Sequence, residues 1–108
     1  MGGRREVLKE GYIARWRKYP EDEVKIRVAR PSVLSPSKAL LMDYKEGLIG
    51  WPEYERRFRE EIQSRPDALK KLRTVKTMSE TEDVRLICYE KNPPCHRFIL
   101  IEMINELE

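Results

Sequence analysis

The sequence has no long apolar run. Its longest stretch without a charged side chain is residues 31–37, far short of the ~20 residues a membrane-crossing helix needs. Residues 1–10 mix basic and acidic side chains and lack the apolar core of a secretory signal. Both absences point to an intracellular, cytoplasmic protein with no membrane partner. Amides are also scarce: Gln63, Asn92 and Asn105 are the full set, against 38% charged residues. That bias is typical of proteins from hot environments, where ion-pair networks gain value and amides are liabilities. Histidine occurs once and cysteine twice. The charge excess is small as well, +3 over 108 residues, too little by itself to argue for nucleic acid. What is present is enough for a core, with 40% of residues hydrophobic. The length fits one domain, which we expect over residues 11–108 behind a loose segment at 1–10. No internal repeat or low-complexity tract interrupts it.

The hydrophobic pattern predicts an α/β fold with a small sheet and about four helices. Residues 12–19 read as a strand interrupted by Arg15, Arg17 and Lys18. After a polar turn, Val24, Ile26 and Val28 alternate with Lys25 and Arg27, the period of a strand with one buried face. The short connection leaves no room for a crossover helix, so these two strands are expected to form an antiparallel hairpin. Ser35-Pro36 signals a helix start, with Leu40, Leu41 and Tyr44 toward the core and Gly47 as the stop. Trp51, Tyr54, Phe58 and Ile62 fall at helical spacing behind Pro52. A third helix begins at Pro66 and carries Leu69 and Leu72. V-R-L-I-C-Y, residues 84–89, is an apolar strand suited to the middle of a sheet. A last helix opens near Asn92-Pro93-Pro94 and runs to about Leu107. The long connection from Arg30 to Val84 holds the helices, so the strands at its two ends are expected to lie parallel. Ligands bind beyond the carboxyl ends of such strands, where Arg30 and the segment 88–97 would meet.

That segment, C-Y-E-K-N-P-P-C-H-R, gathers both cysteines, the single histidine, Glu90 and Arg97. With Asn92 as the cap, Cys95 is the third helical residue, where free N–H groups and the helix dipole favour a thiolate. It suits a nucleophile or an anion pocket, or is simply a small buried residue. Cys88 reads first as strand packing; a disulfide to Cys95 or a redox pair are alternatives, although the spacing is not that of a C-x-x-C motif. A metal site is the weaker reading, because adjacent residues on a helix diverge by about 100° and hold one ion awkwardly. No metal or cofactor is therefore assigned. His96 is either a hydrogen-bonded core residue or a proton carrier, for which Glu90 is the nearest partner in sequence. Arg97 sits unfavourably beside the positive end of the helix, which hints at an anionic partner.

L-I-C-Y-E-K-N-P-P-C-H-R, residues 86–97, resembles the C-terminal signature of the family designated domain of unknown function 488 (DUF488). V-K-I-R-V-A-R-P at 24–31 is similar to that family's second strand, and residues 51–62 to its aromatic-bearing middle helix. The resemblance implies a Rossmann-like layered fold with a pocket at the strand ends. It also implies functional candidates at Arg30, Cys88, Glu90, Cys95, His96 and Arg97. One departure stands out: members commonly carry an aspartate just before the strand-ending arginine, where this chain has Val28 and Ala29. The family has no settled biochemical role, so the resemblance supplies a fold and a site but not a reaction.

Two function classes remain open. One is a small enzyme acting on an anionic substrate, whether nucleotide, nucleic acid or phosphorylated metabolite. Cys95, His96 and Glu90 would then be catalytic, and Arg30, Arg97 and Cys88 would bind substrate. The phosphatase spacing of cysteine, five residues, then arginine is absent: Pro94 and Ile101 stand where the arginine would be. The other is a module without catalysis. It would bind nucleic acid or a protein partner through Arg15, Arg17, Lys18, Lys25 and Arg27 with Tyr12, Trp16 and Tyr19 interleaved, or serve as an accessory protein with packed or linked cysteines. Nothing in the sequence fixes an oligomeric state.

Overall fold

A computed structural model describes residues 8–30, 32–89 and 95–107. Three parallel strands form one sheet: β1 (Leu8–Tyr12), β2 (Val24–Arg27) and β3 (Val84–Cys88), in the order β1-β3-β2. The helices are a 3-10 helix (Ile13–Lys18), α1 (Lys38–Lys45), α2 (Trp51–Gln63), α3 (Pro66–Ser79) and α4 (His96–Glu106). The α/β class and the helix count agree with the sequence pattern. So does the parallel pairing of β2 with β3, in register from Val24 on Val84 to Arg27 on Ile87.

The N-terminal hairpin does not form. β1 lies earlier than expected, mostly within the segment 1–10 expected to be loose, and pairs in parallel with β3 from Leu8 on Val84 to Tyr12 on Cys88. Most of the expected first strand is the 3-10 helix, which supplies the crossover a hairpin would not need. The charged side chains explain the outcome. Arg15, Arg17 and Lys18 are exposed on that helix, whereas the apolar V-R-L-I-C strand takes the centre, where both faces are covered. Gly11 is required at the end of β1: a Cβ there would stand 2.6 Å from Tyr19 Oη. That hydroxyl accepts the Tyr12 backbone N–H at 3.0 Å, holding the 3-10 segment against the strand.

The two faces of β3 are covered differently. Val84, Leu86 and Cys88 join the main core with Phe58, Ile62, Leu72, Leu100 and Ile104 from the helices. On the opposite face, the Arg85 guanidinium lies 4.0 Å over the Tyr19 ring and hydrogen-bonds the buried carboxylate of Glu23. It also donates to the Glu10 carbonyl at 2.8 Å, so one side chain on the central strand links both edge segments.

The α1 cap is Ser37 rather than Ser35: its Oγ accepts the Leu40 N–H at 3.1 Å. Gly47 follows the end of α1 with φ +79°, the left-handed conformation glycine adopts at low cost. α2 begins with Pro52 in its first turn and buries Tyr54, Phe58 and Ile62, as the spacing predicts. No helix of the described residues is long and apolar enough to cross a membrane.

Candidate functional site

A cavity of about 270 Å³ opens at the carboxyl ends of β2 and β3. Its floor is Cys88 from the end of β3, with Cys95 and His96 from the start of α4. Tyr44, Trp51 and Tyr54 supply an aromatic wall, Trp51 and Tyr54 stacking at 4.9 Å between centroids and 17° between planes. Tyr44 packs on Tyr54 at 4.9 Å. Ala29, Pro36 and Leu41 add apolar surface, and Arg30, Lys45 and Tyr89 reach it from exposed positions. Among the described residues neither Arg30 nor Lys45 pairs with a carboxylate, whereas Arg56, Arg57, Arg59, Arg65 and Arg85 all do. The volume is just below the usual range for small-molecule sites, and it favours a small ligand over the inside of a polymer groove.

The helix starts later than the sequence suggests. Asn92 lies outside the described residues, and the N-cap of α4 is Cys95 itself, extended at φ −150° and ψ 151°. Because Cys95 is not on the helix, the divergence of adjacent helical residues does not apply. Its side chain and that of His96 converge instead. Cys95 Sγ lies 3.0 Å from Cys88 Sγ; the two form no disulfide, and each is 3% exposed. His96 Nδ1 lies 3.6 Å from Cys95 Sγ and 3.8 Å from Cys88 Sγ.

The other ring nitrogen fixes the tautomer. His96 Nε2 lies 2.8 Å from the Val28 carbonyl oxygen, which can only accept, so Nε2 carries the proton and donates. In the neutral ring Nδ1 then presents a lone pair toward the two sulfurs. Phe58 packs its ring against the imidazole at 5.5 Å and 66°, holding that orientation.

The Cys95 thiol is not acidified. Its hydrogen bond to Cys88 pushes its pKa up, burial and the neighbouring Cys88 charge add to that, and the Arg97 amide and guanidinium oppose it only in part. The expected lowering at a third helical position is therefore overturned: two buried thiols side by side cannot both ionise easily. Burial also raises the Tyr54 phenol, with the Cys95 and Cys88 charges contributing.

Of the residues singled out in the sequence, Cys88, Cys95, His96 and Arg30 meet at the cavity. Glu90 lies outside the described residues. Arg97 does not line the cavity: it is 1% exposed, and its Nε donates to Glu10 Oε1 at 2.8 Å, tying α4 to β1. Sequence reasoning placed Tyr44, Trp51 and Tyr54 in the core and passed over Lys45. The aromatic spacing identifies a helix face but not the gap that the face leaves uncovered, and Lys45 is one lysine among many. Ala29, at the position where an aspartate is common in the resembling family, makes that wall of the cavity apolar.

No curated protein and no solved structure matches the chain. A family model described as the active DUF488-N3 subclade matches residues 5–108, essentially the whole chain. The chain therefore belongs to the DUF488 family, in its DUF488-N3a branch.

Proposed function

We propose that the protein is a small enzyme acting on an anionic substrate that carries a planar ring, with nucleotides the class that fits both features. The observation that supports it is one cavity that joins an aromatic wall, two cations at its mouth and a buried Cys–Cys–His floor. Arg30 and Lys45 would bind the anion, the Trp51–Tyr54 wall would face the ring, and the floor would act on the group brought against it. The His96 Nδ1 lone pair lies in that floor, beside the two sulfurs. A phosphate at exposed cations and a ring against indole and phenol are each familiar physical contacts.

The test is a fluorescence titration with nucleoside monophosphates, in a Trp16→Phe background so that Trp51 alone reports. Saturable quenching should appear and weaken about tenfold in Arg30→Ala, from loss of a charge-assisted contact. Quenching that never saturates, or that ignores both Arg30→Ala and Lys45→Ala, would remove the proposal.

A second reading has its own observation. The 3-10 helix leaves Trp16 38% exposed between Arg15, Arg17 and Lys18, a small surface for stacking and phosphate contact on a single strand. Tyr19 is not part of it, being engaged by Arg85 and Tyr12. Oligonucleotide binding that falls steeply with salt and is lost in Trp16→Ala would favour this surface.

A further inference from the structure

We propose that Cys88, Cys95 and His96 form a binding site for a single zinc ion, with the fourth coordination position open to the cavity. This rests on the cavity being the reaction centre, and it adds the group that would work there.

The three donors lie on one small volume: the two sulfurs and a ring nitrogen of His96 are all within 4.8 Å of one another. Tetrahedral zinc, with Zn–S of about 2.3 Å and Zn–N of about 2.0–2.1 Å, separates sulfur from nitrogen by about 3.6 Å and sulfur from sulfur by about 3.8 Å. The observed sulfur–nitrogen distances, 3.6 and 3.8 Å, match that edge. The sulfur–sulfur distance of 3.0 Å is shorter. That is closer than an ordinary S–H···S contact, so to hold an ion the sulfurs would have to part by about 0.8 Å, a small side-chain adjustment.

The histidine distinguishes a metal from a disulfide. His96 Nε2–H is committed to the Val28 carbonyl, the kind of outer hydrogen bond that orients a metal-bound imidazole. Nδ1 therefore offers only a lone pair. A disulfide between Cys88 and Cys95 would leave no S–H to donate to that lone pair, inside a site where both sulfurs and the ring are buried. Buried acceptors left without a donor are costly. A metal ion satisfies all three groups together.

Two thiolates and one imidazole suit zinc better than calcium or magnesium, which take oxygen donors. Two thiolates also neutralise a divalent ion, so the site needs no further carboxylate. Three protein ligands with a position left for water or substrate is the arrangement of catalytic rather than structural zinc. Because the same three residues floor the cavity, the ion would enter through it, and its open position would face whatever the aromatic wall and Arg30 hold.

The experiment uses the full chain, purified under reducing conditions and without added chelator. Zinc content is measured, the ion is released with a chromogenic chelator, and thiols are counted before and after. One zinc per chain, with two thiols becoming reactive on its release, is the expected result. The reduced apoprotein should also take up one cobalt ion with thiolate charge-transfer absorbance and the intense visible bands of a tetrahedral site. In Cys95→Ser, zinc affinity should fall by more than about 100-fold, beyond what loss of an outer-shell partner costs. The proposal is overturned if the reduced protein binds no zinc and gives only a pale octahedral cobalt spectrum. A native Cys88–Cys95 disulfide with no metal uptake after reduction overturns it equally. The wild-type thiol and metal counts do not depend on the variant folding. Nucleotide quenching of Trp51 is read on the same samples: quenching without metal defeats the zinc site and leaves the substrate reading standing, and metal without quenching does the reverse.

Discussion

Arg97 and Glu10 form a pair whose two halves should respond unequally to removal. Arg97 is 1% exposed, while the Glu10 side chain keeps 43% of its exposure. Replacing Glu10 by alanine takes a partner from a buried cation; replacing Arg97 by methionine removes the buried charge itself and leaves a carboxylate that water can solvate. Breaking a fully buried pair from one side costs about 3–5 kcal/mol. Glu10 is half in solvent and Arg97 has further interactions, so screening reduces that to about 1–3 kcal/mol. An apolar side chain of similar volume in place of a buried ion is often close to neutral, here about −1 to +1 kcal/mol for Arg97→Met. Urea unfolding at neutral pH, with the m-value checked for constancy, measures both. Glu10→Ala should lower the melting temperature by about 4 °C for each kcal/mol lost in a domain of this size. Neither variant should change nucleotide affinity by more than about twofold, since neither side chain lines the cavity. If Arg97→Met proves the more damaging and also abolishes binding, Arg97 belongs to the ligand site and its placement here is wrong.

Gly11→Ala should destabilise by about 1–3 kcal/mol, because its Cβ would meet a Tyr19 ring held between Arg85 and the Tyr12 amide; chemical denaturation measures it. Phe58→Ala should cost about 3–5 kcal/mol as a large buried side chain and loosen His96 as well, seen as a shift of the imidazole NMR signals. The Arg85 hydrogen bond holds the Glu23 carboxyl below the usual glutamate range against the opposing effect of burial, with Lys9 and Lys25 assisting. A lowered folded-state pKa stabilises above the unfolded value and loses that contribution as pH falls through the folded one. Stability should therefore decline below about pH 4 more steeply in the wild type than in Glu23→Gln. Parallel slopes in the two proteins would show that this pair does not carry the acid sensitivity.

The sequence reading succeeded where a single periodic signal decided the structure. Trp51, Tyr54, Phe58 and Ile62 at helical spacing gave α2, and the V-R-L-I-C run gave a central strand. It failed where the partner of a segment lies far along the chain. β1 pairs with β3 across more than seventy residues, and nothing local in L-K-E-G-Y announces that contact. The same limit applies at the site. Convergence of Arg30 with Cys88, Cys95 and His96 followed from strand ends meeting a helix start. The direction of each side chain did not: a cap at Cys95 instead of Asn92, three residues later, moved Cys95 off the helix. That reversed the expected acidity and made two adjacent residues face one point. Arg97 looked like an anion ligand because its only local neighbour was a helix dipole; its real counter-charge, Glu10, is contributed by β1.

The central claim is that the Cys–Cys–His floor, the aromatic wall and Arg30 with Lys45 form one ligand site. A crystal structure of the protein with a nucleoside monophosphate tests it most directly. The base should lie against the Trp51–Tyr54 wall with the phosphate within reach of Arg30 and Lys45. A nucleotide seated instead on the 3-10 helix beside Trp16, or a cavity left empty at saturating ligand, would contradict the account.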